Sequence, residues 1–228
     1  MKQLILIRHG QSQWNLENRF TGWTDVPLSP LGQQEATHAG ELIKQAGLKP
    51  RYAFTSYLRR AITTLDLALD AMDRLWIPVE KDWHLNERHY GALQGLNKAD
   101  TAAKYGDEQV HIWRRSFDIQ PPALTPDDDR YPAKEEKYAM LTADELPLTE
   151  SLADTINRVR PCWEEKIAPA LQVYDTVIVS AHGNSLRGLV MMLKKLTPEQ
   201  IVNEEIPTGH PRLFTLDDRL GYISDKYL

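Results

Sequence analysis

His9 and His182 each close an apolar run and each precede a glycine: Leu4 to Ile7 leads into Arg8-His9-Gly10, and Asp175 to Ala181 leads into His182-Gly183. A lone histidine at a strand end is accounted for by a hydrogen bond to neighbouring backbone. Two with the same flanks ask for more. Glycine lets a ligand come close to the main chain, and Arg8 brings a permanently charged fork that matches phosphate oxygens. The chemistry open to this set is capture of a phosphoryl group, with an imidazole nitrogen as nucleophile.

Further cations and one carboxylate fall at comparable places. Arg59 and Arg60 follow an expected short strand, Tyr52 to Thr55, at the start of a helix. Leu58, Ile62 and Leu65 take one face of that helix, so at least one arginine is free to face the sheet edge, and solvated surface is the competing account for either. Glu87 lies just beyond another expected strand, Pro78 to Trp83, beside Arg88 and His89. It reads equally well as an ion-pair partner and as a group that accepts and returns a proton during phosphoryl transfer to an alcohol.

Placing these groups together requires a scaffold, and the pattern supplies one. Strand and helix signals alternate, which predicts an α/β fold with a mostly parallel central sheet and helices on both faces. Ser29-Pro30 is an N-cap and first-turn proline, Leu31, Ala39, Leu42, Ile43 and Ala46 follow at helical spacing, and Gly47 is the stop. The next helix is expected from about Leu58 to Leu75. Residues 97 to 148 break the rhythm: two short helices, Asn97 to Tyr105 and Glu108 to Phe117, precede a stretch with Pro121, Pro122, Pro126, Pro132 and Asp127 to Asp129. Trp113, Phe117, Tyr131 and Tyr138 give this irregular insertion something to bury. Leu152, Ile156, Val159, Trp163 and Ile167 then share a helical face that Pro161 and Pro169 should kink or divide. Ser185 to Lys195 reads as a helix, and Thr197 to Gln200 as a capping box. We expect one domain over residues 1–228, with the insertion at about 97–148. In a parallel sheet the two His-Gly strands end at one edge, where ligands bind in such folds.

The bulk numbers narrow the classes. Hydrophobic residues at 42% and charged residues at 26% are ordinary for a globular protein. A formal charge of -5 gives no general attraction for nucleic acid or an anionic membrane, so any anion must be held by a local basic pocket. Cys162 is the only cysteine, which rules out an intrachain disulfide and suits a reducing compartment. The first apolar stretch is too short for a signal-peptide core and none approaches a membrane span. The expectation is a cytoplasmic protein.

R-H-G-Q-S-Q-W-N (8–15), F-T-G-W-T-D-V-P-L-S (20–29), S-Y-L-R-R-A (56–61), L-N-E-R-H-Y-G-A-L-Q-G-L-N-K (85–98), W-R-R-S (113–116) and S-A-H-G-N-S-L-R-G (180–188) occur in that order. Together they resemble the cofactor-dependent phosphoglycerate mutases of the histidine phosphatase superfamily. The resemblance runs from Leu4 to about Gly209. It implies interconversion of 3-phosphoglycerate and 2-phosphoglycerate through a phosphohistidine, primed by 2,3-bisphosphoglycerate and without a metal. His9 would be the nucleophile, Arg8, Arg60 and His182 would neutralise the transferring group, and Glu87 would move the substrate's proton. Asn15, Gly183 and Asn184 would complete that cradle. Lys98, Arg114 and Arg115 would grip the carboxylate and second phosphate, with Thr21, Gly22 and Tyr90 closing the pocket and Ser12 and Arg88 also in the substrate-binding set. Members of that family occur as monomers, dimers and tetramers, so the resemblance allows a homodimer or homotetramer without requiring one, with phosphoglycerates as the only other partners.

Three features depart from the family pattern. Gln11 stands where glutamate is common, and His210, where an aliphatic residue is usual, is expected to face solvent. The sequence stops soon after Asp225 to Leu228, whereas longer members carry a tail over the site mouth, so weaker lid closure is expected. The alternative function is hydrolysis of a small phosphorylated metabolite with the same His9, Arg8, Arg60, His182 and Glu87. The adjacent pair Arg114-Arg115 distinguishes the two, since a broad hydrolase has little use for it.

Overall fold

The computed structural model describes residues 1–228. Its strands are β1 (Lys2–Arg8), β2 (Tyr52–Thr55), β3 (Val79–Lys81), β4 (Thr176–Ala181), β5 (Arg212–Leu216) and β6 (Tyr222–Tyr227), in one sheet of order β3-β2-β4-β1-β5-β6. β3, β2, β4 and β1 run parallel; β5 and β6 are added antiparallel at the β1 side. The helices are α1 (Gln13–Leu16), α2 (Pro30–Gln45), α3 (Arg59–Ala71), α4 (Lys98–Tyr105), α5 (Asp107–Arg115), α6 (Leu152–Cys162), α7 (Ala168–Val173), α8 (Gly183–Lys194) and α9 (Pro198–Ile201).

The apolar run of β1 has no polar alternation because both faces of the sheet are covered. Ile5 and Ile7 pack with Ile178 of β4 against Ala39 and Ile43 of α2 and Leu65, Ala68 and Leu69 of α3. Leu4 and Leu6, pointing the other way, join Val177 and Val179 against Val159 of α6, Leu171 of α7 and Leu186, Leu189 and Val190 of α8. Burial of each such side chain is worth about 1.5–3 kcal/mol. This two-sided packing fixes the register that matters for chemistry: Arg8 pairs with Ala181, and Thr55 with Ser180, so β1, β2 and β4 end level at one edge.

Several boundaries differ from the expectation. α3 stops at Ala71, because Asp73 takes a left-handed φ of 58° and turns the chain before Leu75 and Trp76, which stay exposed. β3 is only three residues long, and Trp83–Leu85 is a 3-10 turn. The proline-interrupted helix is α6, a π-helical turn at Trp163–Ile167, and α7. Pro169 lacks the N–H that would bond the carbonyl four residues back, and the wider turn absorbs that defect. α8 begins at Gly183, two residues earlier than its apolar pattern suggested. β5 and β6 gave no recognisable sequence signal, since β6 is an exposed edge with charged and aromatic residues mixed.

The insertion is held down at two points. Trp23, Trp83, Tyr138 and Leu146 form one small core, and Phe20, Leu93 and Val110 another, with Tyr90 and Trp113 against it. Arg130 clamps the carbonyls of Ala92 and Gln94 while its own position is fixed by Asp128. α4 and α5, joined at Gly106 with φ 89°, are thereby set over the carboxyl edge of the sheet. No helix is long and apolar enough to cross a membrane.

Candidate active site

His9 continues the sheet ladder by one bond, donating its N–H to Ala181 O at 3.0 Å. Its Nδ1 lies 2.7 Å from the carbonyl of Gly10. A carbonyl only accepts, so Nδ1 carries the hydrogen and the lone pair is on Nε2. Burial pushes the pKa well below 6.5, and the charges of Arg60 and Arg8 push it further, against a smaller opposing effect of the Gly10 bond. The ring is therefore neutral and nucleophilic at neutral pH. Gly10 is required here by close approach: a Cβ would stand 2.1 Å from the carbonyl oxygen of Gly32 in the first turn of α2.

α3 settles which arginine turns inward. Arg60 is buried, with Nε 3.4 Å from His9 Nε2 and its other nitrogens donating to Thr24 O at 2.9 Å and Gly22 O at 2.7 Å. Burial lowers its pKa to about 10, which leaves it charged. Arg59 is exposed. Gly22 has φ 54°, and a Cβ there would meet Gln94 Oε1 at 2.0 Å, so the turn that receives Arg60 needs glycine. Arg8 lies over Gly183 and donates to Ile206 O at 2.9 Å, while its buried Nε has no protein partner.

His182 lies behind His9 with ring centroids 5.0 Å apart. It is the N-cap of α8, its N–H on Ser185 Oγ, and Ser56 Oγ is 2.7 Å from its Nε2. Its Nδ1 is buried without a partner. Desolvation, then Arg60 and His9, lower its pKa well below 6.5. Glu87 is 8% exposed, and its Oε1 accepts the N–H groups of Arg88 at 2.8 Å and Asn184 at 3.1 Å. Two bonds on one oxygen fix the carboxyl and leave Oε2 to a ligand.

His9, Arg8, Arg60 and Glu87 share a cavity of about 480 Å³ with Asn15, Thr21, Gly22, Tyr90, Lys98, Arg114, Arg115, Gly183 and Asn184 in its wall. Asn15 gives its amide oxygen to Ser12 N–H, which leaves its NH₂ for a ligand. Burial, reinforced by Arg114 and Arg8, lowers the pKa of Lys98 to about 8. Three expected residues are not in the wall, and the first, His182, is fully buried behind His9. Ser12 is fully buried as the N-cap of α1, its Oγ occupied by Asn15 N–H. Arg88 is fully buried too; its Nε and Nη2 donate to the carbonyls of Glu150, Trp113 and Ile119, and its Nη1 has no protein partner. Both position backbone and neither reaches the cavity.

Arg187 and Glu205 were not anticipated. Arg187 is four residues after Gly183 on α8, hence on the same face, a spacing that could have revealed it; it donates to Glu204 O and Asn184 Oδ1. Glu205 pairs with Arg115 at 3.3 Å across the mouth. Gln11 turns from the cavity, accepting the Ser29 hydroxyl at 2.8 Å, and His210 is exposed.

The profile of the histidine phosphatase superfamily (branch 1) matches residues 4–129. The 2,3-bisphosphoglycerate-dependent phosphoglycerate mutases of two Porphyromonas gingivalis strains, ATCC 33277 and W83, are 54% identical over 228 residues, all of this chain and 92% of theirs. Among solved structures, a mycobacterial glucosyl-3-phosphoglycerate phosphatase complexed with VO3 superposes with TM-score 0.74 at 23% identity, covering 100% of this chain and 97% of that one. The alpha-ribazole phosphatase of Shigella flexneri superposes with TM-score 0.71 at 20% identity, covering 97% and 94%. At these identities the two phosphatases share the fold alone.

Proposed function

The chain belongs to the histidine phosphatase superfamily, and we propose that it interconverts 3-phosphoglycerate and 2-phosphoglycerate through a phosphohistidine on His9. The observation that carries this reading is the full-length match at 54% identity to a mutase. The geometry suits it: one cavity holds a neutral His9 and, from α4 and α5, a second cationic group of Lys98, Arg114 and Arg115. Two anionic ends of one small molecule can be held at once. The hydrolytic alternative draws only on fold likeness to phosphatases at 20–23% identity.

2,3-Bisphosphoglycerate is the priming group this reading implies, and the residues fit it. Arg8 Nε and His182 Nδ1, on the residues next to His9 in sequence and in space, are buried and unpartnered, as groups awaiting anionic oxygens would be. Arg8, Arg60 and His182 would hold the phosphoryl group beside His9, and Lys98, Arg114 and Arg115 the far end. When bound, it supplies the phosphoryl group that His9 carries.

His9 Nε2 bears the phosphoryl group, and Gly10 O keeps Nδ1–H in place so that the ring stays in line. Arg8 and Arg60 counter the charge spread over the transferring oxygens, usually the largest catalytic contribution. As the P–N bond breaks and the P–O bond to the substrate hydroxyl forms, Glu87 Oε2 takes the hydroxyl proton, and it returns that proton when the neighbouring phosphoryl group comes back to His9. The arginines supply positive charge that a magnesium ion would otherwise bring. Phosphoglycerates are then the small-molecule partners, in the cytoplasm. A homodimer or homotetramer, which the resemblance allows beside a monomer, is compatible with the same proposal.

Conversion of 3-phosphoglycerate should depend on added 2,3-bisphosphoglycerate and proceed in a chelator, and quenched turnover mixtures should carry an acid-labile phosphate on His9. His9→Ala should abolish both. A requirement for a divalent cation, or absence of the modified histidine, overturns the reading.

A further inference from the structure

We propose that Arg158 and Glu150, an ion pair buried outside the cavity wall, are positioning residues: they set where the Glu87 carboxyl stands and so govern proton transfer to the substrate hydroxyl, while leaving phosphorylation of His9 alone. This rests on the role proposed above for Glu87.

Their side chains are 7% and 5% exposed. Arg158 donates from Nε to Glu150 Oε1 at 2.6 Å and from Nη2 to Oε2 at 2.8 Å. Its remaining N–H groups go to main-chain carbonyls of the segment that carries Glu87: His84 at 2.7 Å, Asn86 at 3.1 Å, Trp83 at 3.4 Å and Glu87 itself at 3.0 Å. Glu150 holds the other end. Its Oε2 accepts His89 N–H at 2.8 Å, its carbonyl accepts Arg88 Nε at 2.7 Å, and its N–H donates to His89 O at 2.8 Å. The guanidinium also lies 5.3 Å from the centre of the Trp23 ring, whose indole N–H donates to the same Glu87 carbonyl at 2.6 Å.

This segment needs external support. Beyond the 3-10 turn Trp83–Leu85 it has no regular structure of its own, so its path is set by what its carbonyls meet. A buried ion pair adds little stability over an apolar replacement of the same volume, which makes stability a weak reason for one here. What a guanidinium offers and an apolar side chain does not is a rigid fork of five donors: two hold the Glu150 carboxylate and the rest are committed to the carbonyls of one segment. A proton shuttle must stand within hydrogen-bond reach of the hydroxyl it serves, and a 1 Å displacement can slow a step by about 10²-fold.

The test separates two steps by their need for a proton. With 2,4-dinitrophenyl phosphate, the P–N bond to His9 forms as the P–O bond breaks, and the dinitrophenolate leaves without a proton; its burst reports His9 phosphorylation. Transfer from that phosphoenzyme to 3-phosphoglycerate, followed by rapid quench, requires the hydroxyl proton to reach Glu87. Arg158→Lys should slow transfer by about 10–100-fold, leave the burst rate within about threefold, and change kcat more than the KM for 3-phosphoglycerate. Glu150→Gln should lose less, in the same direction, and carries the comparison if Arg158→Lys fails to fold. Equal losses in both steps, or no loss in transfer, overturn the assignment. Glu87→Gln is the reference: a selective transfer loss there that neither clamp variant shares sinks the clamp alone, and no selective loss in Glu87→Gln sinks the role of Glu87 with it.

Discussion

On the proposed function, Lys98 is the residue whose protonation is coupled to ligand binding. Burial and the neighbouring Arg114 hold its pKa at about 8 in the free protein, below its ordinary value, because charge is disfavoured there until an anion arrives. A bound carboxylate or phosphate restores the charged form. Below pH 8 the group is already protonated and binding takes up no proton through it; above pH 8 binding must recruit one. The KM for 3-phosphoglycerate should therefore rise as pH passes 8, and calorimetry at pH 9 in buffers of different ionisation enthalpy should register proton uptake. Lys98→Met should remove the uptake, and an uptake that persists in that variant assigns it elsewhere. The roles proposed for Arg8 and Arg60 draw on the same setting, since a guanidinium held in low dielectric acts more strongly on a developing charge than one in water.

At the scale of elements, the site depends on how closely the end of β1 approaches the start of α2. Gly10 and Gly32 meet there: a Cβ on Gly10 would stand 2.1 Å from Gly32 O, and one on Gly32 would stand 2.0 Å from Gln11 O. Both obstacles are backbone and cannot rotate aside. The Ser29 cap of α2 is tied into the same junction through Gln11, which gives that glutamine a structural task as a hydrogen-bond acceptor. Gly10→Ala should push β1 and α2 apart and destabilise the fold by about 1–3 kcal/mol, read as a lower urea midpoint at unchanged slope. An unchanged midpoint would show that the junction can yield. α4 and α5 act on the opposite side, where the start of α4 carries Lys98 and the last turn of α5 carries Arg114 and Arg115 to the wall because the Trp23 and Phe20 clusters pin the insertion down.

For the molecule as a whole, the formal charge of -5 conceals a cavity whose wall is rich in arginine. Keeping those cations together requires the imidazoles among them to remain neutral. Desolvation lowers the pKa of His9 and His182 well below 6.5 and that of His89 to about 3. A histidine whose folded pKa lies below its unfolded one contributes stability above pH 6.5, and that stability is lost as pH falls below 6.5, where the unfolded chain binds the extra proton. Each such group contributes a slope of up to about 1.4 kcal/mol per pH unit. Urea midpoints should therefore fall steadily from pH 6.5 towards pH 5, and His89→Gln should flatten part of that slope. A midpoint independent of pH over this range would contradict the neutral assignment.

The sequence by itself determined the chemical types and their order. The apolar runs of β1 and β4, the glycine after each histidine, the isolated Glu87 and the pair Arg114-Arg115 are local patterns, and local patterns follow from backbone geometry and side-chain periodicity. Only the tertiary structure decided where each long cation points. Arg60 enters and Arg59 does not; Arg88 turns away to buried carbonyls; Arg158 and Glu150, far along the chain, hold the segment that carries Glu87. An arginine's direction is chosen by acceptors distant in sequence, and β5 and β6 likewise take their place from the edge of β1, with no strong period of their own. The tautomer of His9 belongs to the same class, since it follows from which carbonyl folding brings to its Nδ1.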